Sequence, residues 1–252
     1  MDYKNRNWLQ QKYSIEELNT YQIAKLCGCG QTTIRRWLKK LNIQTRSYSK
    51  AFHLARANHC NLSDEAKQWI DGELLGDGCL RSHSKYSANI EYCSKHLEYI
   101  NYVSQTLISF GIKQCGKIHK IKDKKSNCYA YHYGSLFYDE LLPIRKRWYP
   151  KNKKIIPRDL KLTPLILRQE HIGDGSLIHR RKGDGNPYIA LYTCGFSIKD
   201  VEQLIKQLIM LGFKATRQSN DNTIHISTKS TKQFLDYIGS SPVRCYNYKF
   251  AY

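Results

Sequence analysis

No apolar run in the chain is long enough to cross a bilayer, which takes about 20 consecutive apolar residues. The opening Met1-Asp-Tyr-Lys4 lacks the basic and apolar regions of a signal peptide. It is also unlike the acid-poor, Arg- and Ser-rich start of a transit peptide. These absences predict a protein that is neither secreted nor membrane-bound, housed in a prokaryotic cytoplasm or an organelle. Nine cysteines are present, at 27, 29, 60, 79, 93, 115, 128, 194 and 245, yet none form a Cys-x-x-Cys pair. The odd count suits reduced thiols inside a cell. Cys27-Gly-Cys29, with His53, His59 and Cys60, does not have the spacing of a small zinc module. Acidic residues are scarce: 21 Asp and Glu face 41 Lys and Arg, for a net charge of +20. That surplus predicts a polyanionic partner, the alternative being a merely basic soluble protein.

Two stretches organise what is present. One is Ile70-Asp-Gly-Glu-Leu-Leu-Gly-Asp77-Gly78; the other is Leu167-Arg-Gln-Glu-His-Ile-Gly-Asp174-Gly175. Each is an apolar helical pattern closing on Gly-Asp-Gly. Ser63 is the expected N-cap of the first, with Asp64 and Glu65 in its first turn. Thr163 caps the second, with Pro164 at its first position. Gly72 and Gly76 share one helix face and let another backbone approach. Asp77 and Asp174 fall at helix C-termini, where a bare carboxylate is disfavoured and a nearby cation would resolve the conflict. A lone Gly-Asp-Gly is an ordinary turn; two copies ending capped helices need more explanation.

The copies belong to a longer repeat. Strand-like runs at Cys79 to Ser84 and Asn89 to Cys93 lead into a helix carrying Leu97, Ile100, Val103, Leu107 and Phe110. After Asp174 come Leu177 to Lys182, Tyr188 to Tyr192, then Ile198, Val201, Leu204, Leu208 and Leu211. Both helices stop alike, at Phe110-Gly-Ile-Lys113 and Leu211-Gly-Phe-Lys214. The aspartates are 97 positions apart and these stops 101, which places an insertion at the turn Lys182 to Pro187. Two further strands and a short helix, around Phe137 and Phe234, complete each copy. The expected fold class is α+β: a pseudo-twofold pair of αββαββα units with antiparallel sheets.

This pattern resembles a single-chain, two-motif LAGLIDADG homing endonuclease over roughly Leu62 to Tyr252. The resemblance aligns Asp77 and Asp174 with the family's metal-binding acidic positions, joined by Gly76 and Gly173. Gly72, Gly76 and Gly173 match its helix-interface small residues. Lys154, before Ile155-Ile-Pro157, and Lys249, in Tyr248-Lys249-Phe250, match lysines beside the metal; generic phosphate contact is the other reading of them. Gln169-Glu170-His171 departs from the apolar residues expected there. Buried without partners, such groups would cost about 1–3 kcal/mol each. His171 is read as a satisfied or solvated histidine, with a ligand role as the alternative.

Ahead of these units, residues 1–43 read as a helix-turn-helix domain. A first short helix starts within Ser14 to Leu18. Thr20 caps Tyr21 to Leu26, and Gly28-Cys29-Gly30 turns the chain into a helix over Gln31 to Leu41. The spacing Ala24, Gly28, Ile34 suits this motif. Gln31, Thr32, Arg35, Arg36 and Lys39 then lie on the outer face of the recognition helix, for base edges and phosphates; an ordinary three-helix packing unit is the alternative. Residues 44–61 read as a basic linker in which Ala51 to Ala57 forms a short helix. Units 62–150 and 151–252 follow.

The expected chemistry is hydrolysis of phosphodiesters in double-stranded DNA. Water must be activated and a leaving oxygen stabilised, and divalent metals do both. Mg²⁺ needs only one or two carboxylates plus substrate oxygens; Mn²⁺ or Ca²⁺ would substitute for binding. Asp77, Asp174, Lys154 and Lys249 form the expected catalytic set. Arg81, His83, Lys120, Lys122, Arg180, Lys182, Arg217 and Gln218 are candidate DNA contacts on a saddle of two sheets. The resemblance implies intron homing by a monomer. Two alternatives stand: an RNA-binding intron maturase, and a non-cleaving DNA-binding regulator.

Overall fold

The N-caps at Ser63 and Thr163 start the two helices on which the larger part of the protein is built. The computed structural model describes residues 2–122, 129–179 and 186–252. The chain divides into two compact units, Met1–Ala57 and Asn58–Tyr252. In the first, α1 (Arg6–Gln10) widens into a π-helical turn over Gln11–Ile15. Then come α2 (Thr20–Leu26), α3 (Gln31–Lys40) and α4 (Tyr48–Arg56). Leu9, Tyr13, Ile23, Ala24, Ile34 and Leu38 form its core.

Two expectations for this unit are corrected. The first helix begins at Arg6, not near Ser14, because the Asn5 side chain accepts hydrogen bonds from the Asn7 and Trp8 backbones. Asn19, not Thr20, caps α2, in a capping box with Gln22. Residues 44–57, read as linker, belong to this unit. The Arg46 backbone N–H donates to the Tyr13 hydroxyl at 3.1 Å, its guanidinium donates to the Leu18 and Tyr13 carbonyls, and Lys50 pairs with Glu17 at 2.7 Å.

In the second unit, α5 (Asp64–Leu75) is capped by the Ser63 hydroxyl, which accepts from the Ala66 N–H at 3.1 Å. β1 (Cys79–Arg81), β2 (Asn89–Ser94), α6 (Leu97–Ser109), β3 (His119–Lys122), β4 (Tyr129–Gly134) and α7 (Leu141–Trp148) follow. The second half repeats the series with α8 (Pro164–Asp174), β5 (Gly175–Ile178), β6 (Tyr188–Leu191), α9 (Ile198–Met210), β7 (Ala215–Arg217), β8 (Ile224–Ile226) and α10 (Thr228–Ile238). Both sheets are four-stranded and antiparallel, in the equivalent orders β1-β2-β4-β3 and β5-β6-β8-β7. Gly111 (φ 81°) and Gly212 (φ 91°) end α6 and α9 in left-handed conformation, as the matching stops required. One continuous core joins the halves, from Trp69 and Ile70 through Ile166 and Leu167 to Phe213 and Phe234.

Local differences have local causes. β1 ends at Arg81, short of Ser84, because the Ser82 hydroxyl turns back to the Ser87 carbonyl at 2.7 Å. β5 starts at Gly175, directly off α8, and ends at Ile178. Phe137 precedes the short helix of the first half, which starts at Leu141. The turn at 182–187 lies mostly outside the described residues.

Candidate active site

The crossing of α5 and α8 makes the site. A Cβ added at Gly72 would lie 2.8 Å from the Ile166 carbonyl oxygen and 2.9 Å from its Cα. One added at Gly76 would lie 3.4 Å from the Gly173 Cα; one at Gly173, 3.0 Å from the Asp77 backbone nitrogen. The three expected interface glycines are thus where the two backbones touch, and the contact continues to the residues that carry Asp77 and Asp174.

Burial pushes the Asp174 carboxyl up to about 6, the charge of Asp77 adds to that rise, and Lys154 and Lys249 oppose it. Neither aspartate side chain takes a hydrogen bond or ion pair from a described side chain. Two neighbouring carboxylates without a described side-chain donor, Asp174 raised by burial and by the charge of Asp77, fit a hard divalent cation. Among the described residues no cluster of three or more His, Cys, Asp or Glu could hold a metal ion. A cation here would therefore rest on the two aspartates and on oxygens from outside the side-chain set.

Both expected lysines are beside this pair. Lys154 Nζ donates to the Gly76 carbonyl at 3.0 Å and the Gly78 carbonyl at 3.2 Å. Lys249 Nζ donates to the carbonyls of Ile172 at 2.6 Å and Gly173 at 2.9 Å. Each ammonium thus satisfies open carbonyls at a helix C-terminus, where the macrodipole favours a cation. The carbonyls of Gly76 and Gly173, residues expected at a metal, accept hydrogen bonds from these lysines. Burial lowers the proton affinity of both ammonium groups, Lys249 to about 8, against the pull of the aspartates.

Two residues of the polar triplet in the second motif, Gln169 and His171, have hydrogen-bond partners. Gln169, fully buried, donates from Nε2 to Glu73 Oε1 at 2.6 Å across the helix pair. Tyr99 donates to Glu73 Oε2 at 2.7 Å, and Tyr92 also hydrogen-bonds this carboxyl. Burial nevertheless pushes Glu73 up to about 7. His171, also fully buried, is satisfied at Nε2 by the Lys249 carbonyl at 2.9 Å, and burial lowers it to about 4, so it is neutral and donates there. Glu170 is enclosed with Oε2 unpartnered, and desolvation raises its pKa strongly. Glu73 and Glu170 occupy the same position of the repeat, each four residues before its aspartate. That recurrence was a readable signal for Glu73, which the sequence reading passed over.

The sheet residues divide by register. Arg81 shares a face with Glu91, His132 and His119, pairing with Glu91 at 2.9 Å. Lys120 and Lys122 align with Tyr131 and Tyr129 on the opposite face, that of buried Tyr92 and Tyr133. Arg217 aligns with core residue Ile224, while Gln218 follows β7 on the other side. His83 lies beyond β1, its ring 5.6 Å from that of Phe137. Arg180 and Lys182 lie outside the described residues. In the first unit Thr32, Arg35, Arg36 and Lys39 are exposed, whereas half-buried Gln31 donates to the Thr20 hydroxyl at 2.9 Å.

Comparison with known proteins places this arrangement. An uncharacterized protein of Methanocaldococcus jannaschii is 29% identical over 250 residues, 94% of this chain and 95% of that protein. The cytochrome b mRNA maturase bI2 of Debaryomyces hansenii is 27% identical over 172 residues, 58% of this chain and 56% of the maturase. Among solved structures, the homing endonuclease I-WcaI bound to its DNA recognition sequence has the same fold, with a TM-score of 0.67 at 19% identity, covering 85% of this chain and 97% of that one. The LAGLIDADG DNA endonuclease family matches residues 67–234, a span holding most of α5, all of α8 and both sheets. The chain belongs to that family.

Proposed function

We propose that the protein is a site-specific DNA endonuclease that hydrolyses both strands of a long asymmetric target with divalent metal. One observation carries the reading: the glycine crossing brings Asp77 and Asp174 together, with a lysine fixed beside each. When bound, Mg²⁺ would supply water activation and charge neutralisation at the scissile phosphate. Asp77 and Asp174 are the residues that would hold it. Lys154 and Lys249 stabilise negative charge on phosphate oxygens or orient water, each serving one half of the site. The outer sheet faces contact DNA, with Arg81 at β1 and Gln218 after β7. The first unit acts as a helix-turn-helix reader through Thr32, Arg35, Arg36 and Lys39, supported by the core positions of Ala24 and Ile34 and the left-handed Gly28. Both halves lie in one chain, so the active form is a monomer.

The test is to incubate the protein with a randomised DNA library and Mg²⁺ and sequence the ends. We expect one recurrent double-strand cut. Asp77→Asn and Asp174→Asn should each abolish it while site-specific binding persists, since phosphate contacts elsewhere supply affinity. Undiminished cutting by either variant would remove the assignment.

A second reading, intron maturation, is supported by the likeness to the Debaryomyces maturase. It predicts Mg²⁺-dependent binding of a folded intron RNA that survives both aspartate substitutions. A non-cleaving regulator is the weaker alternative, since both aspartates are retained.

A further inference from the structure

Lys249 owes its position to a segment that ties the two halves together. The 3-10 segment Arg244–Lys249 is pinned at its start by Glu98 on α6, in the first half. Glu98 Oε1 accepts from the Arg244 N–H at 2.8 Å, and Oε2 from the Cys245 N–H at 3.0 Å. Tyr246 then packs edge-on against Tyr99 and His96, each with centroids 5.1 Å away. At the far end His171 Nε2 donates to the Lys249 carbonyl at 2.9 Å, and Phe250 meets the imidazole edge-on at 5.0 Å.

The repeat shows what is special here. The counterpart of His171 in the first motif is Leu74, a buried core residue. The first half's lysine needs no such tie. Lys154 precedes Ile155, whose N–H donates to the Trp148 carbonyl at 2.8 Å, so the end of α7 holds that backbone directly. A long lysine side chain is directed only as well as its backbone is fixed. In the second half the hydrogen bonds that other elements make to this backbone, among the described residues, come from one carboxylate and one imidazole, beside the ring contacts of Tyr246 and Phe250.

We propose that Glu98 and His171 are positioning residues that dock the Arg244–Lys249 segment and thereby aim Lys249, but not Lys154, at the site. This rests on the endonuclease reading for its catalytic consequence only. Under that reading the two halves can be uncoupled: disturbing the dock slows one strand's hydrolysis and spares the other's.

Two measurements on the full chain test it, using Glu98→Ala, His171→Phe and His171→Gln. Phe keeps the ring contacts but removes the donor; Gln returns a donor. The first measurement is brief acetylation by an N-hydroxysuccinimide ester, read lysine by lysine by mass spectrometry. We expect Lys249 labelling to rise about tenfold in Glu98→Ala and His171→Phe, as local opening exposes it, with Lys154 unchanged and His171→Gln near wild type. The second is strand-resolved cleavage of the selected target. One strand should be cut roughly 10–100-fold more slowly, the loss a misplacement of about 1 Å produces, and the other within about twofold of wild type. Unchanged Lys249 labelling overturns the proposal whatever the cleavage shows. So does equal exposure of both lysines, or equal slowing of both strands, the marks of a merely structural role. If wild type cuts no DNA yet Lys249 alone responds in labelling, the dock stands and the endonuclease reading falls. Should His171→Phe fail to fold, Glu98→Ala at its exposed site decides the matter.

Discussion

Glu73 is a carboxyl group enclosed at the helix crossing, 1% exposed, with three donors around it. Three hydrogen bonds favour the ionised form, yet burial outweighs them and pushes the group up to about 7 from 4.5. The folded state therefore binds this proton more tightly than the unfolded chain. Its stabilising effect is full below pH 4.5 and is lost as pH rises to about 7. His171 acts in the opposite sense, because its lowered pKa of about 4 lets stability rise with pH up to its ordinary 6.5. Comparison with a variant separates the two. Glu73→Gln removes only the first titration, so wild-type stability relative to the variant should fall between pH 4.5 and about 7 and then level. Urea unfolding at five or six pH values, run in parallel, reads this directly; identical pH profiles would refute the assignment. The pairing of Glu73 with Glu170 was legible in the repeat. The partners of Gln169 and His171 were not, since Glu73 and Lys249 are distant in sequence and meet only through packing.

At the level of elements, the central device is a helix pair packed glycine to backbone. Gly72→Ala would put a methyl carbon 2.8 Å from a carbonyl oxygen of α8, an atom that cannot swing away as a side-chain end could. The helices must part. Overpacking of this kind costs about 1–3 kcal/mol, and cutting should fall further than stability alone explains because Asp77 and Asp174 separate. Gly195→Ala is the control: nothing lies within 4 Å of its added carbon, and its stability should stay within about 0.5 kcal/mol of wild type. Thermal unfolding and cleavage rate together check both. If Gly72→Ala behaves like Gly195→Ala, the close crossing is not what holds the site. Helices were legible because their apolar residues recur on one stripe and their caps are local. Strand ends were less so, since a turn such as that at Ser82 is set by hydrogen bonds two to five residues onward.

For the molecule as a whole, the net charge of +20 is divided between two units with separate cores. A second reader in one chain adds contacts without a second search through solution. Removing residues 1–57 should leave the larger unit folded on its own core, weaken DNA binding, and shorten the nuclease-protected region on one flank only. Metal-dependent cutting should persist at higher protein concentration, and the salt dependence of binding should become shallower as phosphate contacts are lost. Footprints of equal length for the full and shortened chains would leave the first unit with a stabilising or partner-binding role. Its helices are held together partly by groups absent from the helical pattern, among them the Arg46 contacts to Tyr13 and Leu18.

What the sequence by itself determined was the repeat, the caps at Ser63 and Thr163, and the glycines of the helix crossing, with Asp77 and Asp174 recurring at its end. Each is written in local spacing or in a motif that recurs within the chain, whereas Lys154 and Lys249 were indicated only by the family resemblance. Tertiary structure alone decided which carbonyls the lysines hold, that Gln169 answers Glu73, that His171 and Glu98 dock the segment bearing Lys249, and which sheet face each cation takes. The physical reason is one of range. Helix periodicity and capping act over a few residues, whereas a buried polar group takes whichever partner the packed halves place within about 3 Å of it.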